Sequence, residues 1–179
     1  MLLAAILAAA VAGLAPKPAL EQSAAASSQP GPEHKRLEFL IGTWKREDID
    51  KPSPAGPGGR VTGTTSCEWF DGRFHVICRS DFTGPVGKLK QLEVFSHDAK
   101  EGEYKLYLIT SVGQVTRVGG KVMGETWHWP SSWTERGKLL RLEVQITEVS
   151  PDLWTSRGEL SVDGGAPVNV FEGKASRIK

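Results

Sequence analysis

From Thr43 to the C-terminus the chain is a succession of short period-two segments punctuated by glycine or aspartate, and no helix-length stretch intervenes. That feature constrains the fold more than any other. Successive side chains of a strand point to opposite faces, so alternation of apolar and polar residues marks a sheet with one buried and one wet face. Strand-like runs fall near residues 42–47, 60–70, 73–82, 88–96, 103–111, 114–118, 121–129, 138–149, 153–162 and 168–177. The clearest sets Leu140, Leu142, Val144 and Ile146 on one face against Arg141, Glu143, Gln145 and Thr147 on the other. Asp71-Gly72, Val112-Gly113, Gly119-Gly120 and Asp163-Gly164 supply residues that accept positive φ, as tight antiparallel connections require. Parallel neighbours would need crossovers of about a dozen residues or more, and there is no room for them. A long open series would curl or expose sticky edges, so the first and last strands are expected to meet. The expectation is an all-β fold, a closed antiparallel up-and-down β-barrel of about ten strands with a short N-terminal helix. A ring of that size is wider than its own side chains readily fill, so an interior cavity follows from geometry.

The first forty residues read differently. Residues 2–15 are an unbroken run of Leu, Ala, Ile, Val and Gly, too short to span a bilayer comfortably and the right length for the apolar core of a secretory signal. Residues 1–26 are therefore expected to be a signal peptide with its cleavage region, with small-residue cleavage options after Ala12 and Ala26. Residues 27–32 read as a flexible spacer and residues 33–179 as the barrel domain, exported to the periplasm or secreted. No cysteine precedes Cys67, which leaves no N-terminal thiol for a lipid anchor, and no membrane association is expected once the signal is removed. Pro32 suits a first helical turn, and Leu37, Leu40 and Ile41 follow at helical spacing before Gly42. So brief a helix must pack its apolar side on something, and one open end of the barrel is the expected place.

Chemistry is harder to find. With 22 Lys plus Arg against 21 Asp plus Glu, the net charge of +1 offers no field for nucleic acid. The four histidines, His34, His75, His97 and His128, share no ligand-type spacing, so no metal is expected. Neither a nucleophile elbow nor a phosphate-cradling glycine loop occurs. Cys67 and Cys78 flank the Asp71-Gly72 turn. A two-residue turn makes them diagonal neighbours on one face, and a four-residue loop sets them directly opposite. Either register favours a structural disulfide over free thiols in an exported chain. The aromatic residues divide between core packing and the walls of a pocket. His75, Arg79, Tyr107, Trp127, His128, Trp129 and Trp133 are the candidates for that lining, with Trp133, in the 130–137 connection, as a mobile rim.

The segment Glu38-Phe39-Leu40-Ile41-Gly42-Thr43-Trp44 resembles the Gly-x-Trp opening of lipocalin-like (calycin) barrels. More closely, that segment, Cys67-Glu68-Trp69-Phe70-Asp71-Gly72-Arg73-Phe74, Gly124-Glu125-Thr126-Trp127-His128-Trp129 and Leu160-Ser161-Val162-Asp163-Gly164 resemble, in order, an uncharacterised bacterial calycin family, domain of unknown function 1579. The resemblance covers about residues 33–179. It implies the barrel and assigns no activity. In the broader group the Gly-x-Trp tryptophan closes the barrel base beneath an arginine of the final strand, which implies Trp44 here, with Arg177 stacking on its indole. Distantly related nitrobindin-like barrels hold haem through a histidine near the C-terminus, and no histidine follows His128, so no cofactor is expected. The functional expectation is a binder or carrier of a small apolar molecule, more readily a non-enzyme than an enzyme. The alternatives are a barrel enzyme with His75 or His128 as general base, and an envelope protein with a filled barrel and a protein partner.

Overall fold

The computed structural model describes residues 29–54 and 56–178. The expected signal peptide and the start of the spacer lie outside the described residues. The first element among the described residues is one α-helical turn, α1 (Pro32–Lys35), continued by a 3-10 turn over Arg36–Leu40. Ten strands follow: β1 (Gly42–Asp50), β2 (Gly59–Trp69), β3 (His75–Gly84), β4 (Gly87–Asp98), β5 (Glu103–Thr110), β6 (Val115–Met123), β7 (Thr126–Glu135), β8 (Lys138–Ser150), β9 (Leu153–Val162) and β10 (Val168–Arg177). Each pairs antiparallel with its neighbours in sequence, and β1 closes on β10 from Trp44 opposite Arg177 to Asp50 opposite Phe171. The ring that period-two patterning implies is therefore complete.

Two features of the connections depart from expectation. Gly119-Gly120 is not a turn: β6 runs straight through it, and the turn comes at Gly124, with φ of 61°. The glycine pair serves space instead, since a Cβ at Gly120 would sit 2.4 Å from the Trp129 ring. Likewise the 130–137 connection is mostly strand, because β7 continues through Pro130 to Glu135 and carries Trp133 in the ladder opposite Leu140. The only register between β6 and β7 is Lys121, Val122 and Met123 against His128, Trp127 and Thr126. Beyond those three pairs the two strands diverge, leaving a seam in the wall. Pro130 has no N–H for a ladder, and it falls where β7 has a partner on one side only.

The base of the barrel is plugged. Leu37 and Leu40 stand three residues apart, one turn of 3-10 geometry, and both are buried against Cys67, Val76, Phe95, Tyr104, Trp127 and Trp129. Polar ties fix the plug's orientation: the Tyr104 hydroxyl donates to the Glu33 carbonyl at 3.1 Å, and Arg36 binds Glu148 at 2.9 Å. Gly42 then enters β1 with φ of 123°, a conformation for glycine. Glycine is needed there for room as well, since a Cβ would fall 2.3 Å from the Arg177 guanidinium. That guanidinium lies 4.2 Å from the Trp44 ring centroid, and the Trp44 indole N–H donates to the Leu40 carbonyl at 2.7 Å. The last strand, the first strand and the plug are thus joined at one point.

At the β2–β3 connection Phe70 N–H bonds the His75 carbonyl at 2.9 Å, which defines a four-residue loop over residues 71–74. Cys67 and Cys78 consequently face each other directly, with Cα atoms 4.0 Å apart, and form a disulfide.

Candidate functional site

Because paired residues share a face, following the ladders round the ring identifies the inward set without ambiguity. It runs through Arg46, Asp48 and Asp50 of β1, Thr65 of β2, Ser80 and Phe82 of β3, and Leu89, Gln91, Glu93 and Phe95 of β4. It continues through Leu106 and Leu108 of β5, Val118 of β6, Trp129, Ser131 and Trp133 of β7, and Leu142, Val144 and Ile146 of β8. Trp154 and Ser156 of β9 and Phe171 and Gly173 of β10 complete it. Most of these side chains border a cavity of about 1410 Å³ above the plug, open to the outside. It is also bordered by Arg117, Pro130 and Ser132, which face outward on the strands flanking the seam, so the space continues through the wall there. Inward glycines help to shape it. A Cβ at Gly158 would strike the Phe171 ring at 2.2 Å, and one at Gly63 the Phe82 ring at 2.6 Å.

Most of the lining is apolar, but its lower part holds a polar cluster. The Arg46 guanidinium is paired with Asp48 at 3.2 Å and lies 4.4 Å from the Trp154 ring and 5.4 Å from that of Phe82. Asp48 also accepts from the Ser156 hydroxyl at 3.4 Å. Its carboxylate occupies the space where residue 173 would otherwise carry a side chain, since a Cβ there would lie 1.6 Å from Oδ1. Glu93 has the Ser80 hydroxyl as a partner at 3.5 Å, and Ser80 in turn pairs with the Thr65 hydroxyl at 2.8 Å. Burial pushes the Glu93 carboxyl above its usual range, with the Arg46 charge opposing. Burial, followed by the nearby Asp48 charge, raises Asp50 in the same direction.

The residues singled out from sequence divide by parity. Trp129 and Trp133 border the cavity. Trp127 points inward but belongs to the base, where Phe39 stacks on it with centroids 5.0 Å apart. His75, Arg79, Tyr107 and His128 occupy the opposite face of their strands and meet the exterior. His75 pairs with Ser96 at 2.9 Å, Arg79 with Glu68 at 2.7 Å, and His128 with Glu143 at 3.0 Å; Tyr107 is exposed beside Arg117. They are not part of the cavity because Cys78, Leu106 and Trp127, which set the inward parity of β3, β5 and β7, lie an odd number of residues away. Among the described residues no three His, Cys, Asp or Glu side chains gather in a way that could hold a metal ion.

A plugged ten-stranded ring around a hollow, mostly apolar interior defines a calycin-like barrel. The chain belongs to the family described as "Protein of unknown function (DUF1579)", whose model matches residues 29–150. Two solved structures share the architecture. Rv2717c from M. tuberculosis is 14% identical, with a TM-score of 0.58 over 83% of this chain and 99% of its own. The S-type phycobiliprotein lyase CPES from Guillardia theta is also 14% identical, with a TM-score of 0.55 over 85% of this chain and 96% of its own. No curated protein matches the sequence.

Proposed function

We propose that this protein binds a small molecule with an apolar body inside the barrel, as a carrier rather than as an enzyme, outside the cytoplasm. The cavity carries this reading: about 1410 Å³ of space walled by Leu89, Leu106, Leu108, Val144, Trp133 and Phe171 is large enough for a molecule of drug or pigment size. The fold is shared with the S-type phycobiliprotein lyase CPES, which is consistent with a barrel of this kind hosting a small organic molecule. Neither His75 nor His128 reaches the cavity, so the general-base alternative has no geometry behind it. The Cys67–Cys78 disulfide supports an oxidising compartment, as does the apolar leader-like run of residues 2–15.

Native mass spectrometry of the purified full chain, together with uptake of the uncharged fluorophore N-phenyl-1-naphthylamine, tests this directly. A retained small molecule or saturable fluorescence is expected, and Val144→Phe, which narrows the cavity, should weaken it. Protein that arrives empty and takes up no apolar probe overturns the reading.

A further inference from the structure

Inward-facing ionisable groups at the level of the cavity come from two strands only: Arg46, Asp48 and Asp50 of β1, and Glu93 of β4. The other eight strands present neutral side chains at this level, among them Thr65, Ser80, Ser131 and Ser156. Arg117, Arg141, Glu143 and Glu159 border the same space from the outward face, two cations against two carboxylates, so they cancel at the opening. Inside, Arg46 is committed to Asp48 at 3.2 Å and wedged between Phe82 and Trp154. Two carboxyl groups, Asp50 and Glu93, are left with no interior cation of their own. Of these Glu93 lies deeper, surrounded by barrel wall, with a long Ser80 contact as its one hydrogen bond.

We propose, building on the cavity-binding reading above, that the molecule this barrel takes carries a protonated amine on its apolar body, and that Glu93 is the counter-charge for that amine. A carboxylate ligand would bring another anion towards Asp48, Asp50 and Glu93, where the one interior guanidinium, holding Asp48 through Nη2 and with its Nε unpartnered, sets a single positive charge against three carboxyl groups. An ammonium group supplies the positive charge that the chamber lacks. The raised titration range of Glu93 adds a signature: an arriving ammonium stabilises the carboxylate, so the carboxyl titrates at lower pH with the amine bound than in the empty chamber.

The test displaces N-phenyl-1-naphthylamine from the full chain with three ligands of equal chain length: decylamine, decan-1-ol and decanoic acid. Decylamine should compete at a concentration about tenfold below decan-1-ol, the equivalent of one modest charge interaction, and decanoic acid should be the poorest. Glu93→Gln keeps the volume and should abolish the advantage of decylamine over decan-1-ol. On unaltered protein, calorimetry in buffers of different ionisation enthalpy, repeated over a pH series, should show a pH range in which decylamine releases protons and decan-1-ol does not. If decanoic acid competes best, if Glu93→Gln leaves the amine preference intact, or if decylamine releases no proton at any pH of the series, this proposal fails and the cavity reading stands. If the fluorophore itself is not taken up, both fall together.

Discussion

Replacing Arg46 by methionine tests the polar cluster most sharply. The guanidinium is only 15% exposed and its partner Asp48 only 9%, so solvent screening is weak at this pair. The substitution preserves much of the aliphatic volume and removes the charge. It strands Asp48, which keeps one weak contact, the Ser156 hydroxyl at 3.4 Å. Breaking a buried pair from one side costs about 3–5 kcal/mol, because the remaining charge has no compensation. In a domain of this size each kcal/mol moves the melting temperature by roughly 2–4 °C, so Arg46→Met should lower Tm by about 6–20 °C at neutral pH. Removing both charges, in Arg46→Met with Asp48→Leu, should recover more than half of that loss, since no buried charge is then left alone. Thermal melts followed by circular dichroism supply all the values of the double-mutant cycle. A single variant that melts with the parent, or a double variant whose loss equals the sum of the two singles, would refute the account of this pair.

Other consequences are equally measurable. The Cys67–Cys78 link closes a chain segment with a sequence separation of 11, and loop-closure entropy assigns such a segment about 3 kcal/mol; reduction, or Cys67→Ala with Cys78→Ala, should lower Tm by roughly 6–12 °C. The raised Glu93 titration means that the folded protein holds this proton more tightly than the unfolded chain. Its contribution is therefore fully favourable below the ordinary glutamate range and is lost as pH rises through the raised value. Glu93→Gln should accordingly gain stability relative to the parent as the pH rises above the ordinary glutamate range, and a pH series of melts in which the two curves stay parallel would contradict this. Leu37→Ala, at the buried centre of the plug, should cost about 2–5 kcal/mol in a denaturant titration. Gly173→Ala forces the Asp48 carboxylate out of its place, so it should destabilise more than alanine at the exposed turn residue Gly137, even though Gly137 has φ of 77°.

The fold was legible because alternation, turn residues and connection length all agree on one topology. The plug was legible too, since Leu37 and Leu40 with Pro32 ahead of them define a short apolar face. Gly119-Gly120 misleads because a glycine pair looks the same whether it serves positive φ or, as here, the approach of the Trp129 ring. The interior charges were invisible for a related reason. In Lys45-Arg46-Glu47-Asp48-Ile49-Asp50 charges fall on both parities, so the pattern does not say which face is wet. Around Gln91-Leu92-Glu93-Val94 the polar residues face inward and the apolar ones outward, inverting the usual assignment. Selecting pocket residues by type brought forward His75, Arg79, Tyr107 and His128. Counting parity from the disulfide would have set the first two outside, because residue 78 is even and residues 75 and 79 are odd.

The joint between β6 and β7, held by three residue pairs, separates two demands that barrels usually set against each other. Nine of the ten strand junctions bind the ring over long ladders, so folding cooperativity does not depend on the tenth. Local opening along the unpaired stretch beyond those three pairs would break no β6–β7 ladder hydrogen bond and leave Trp44, Arg177 and the plug undisturbed. Substitutions at the exposed positions beside the seam, such as Arg117, Ser132 and Thr134, should therefore change how fast a guest comes and goes with little effect on global stability. The same protein can then be durable and quick to exchange its contents.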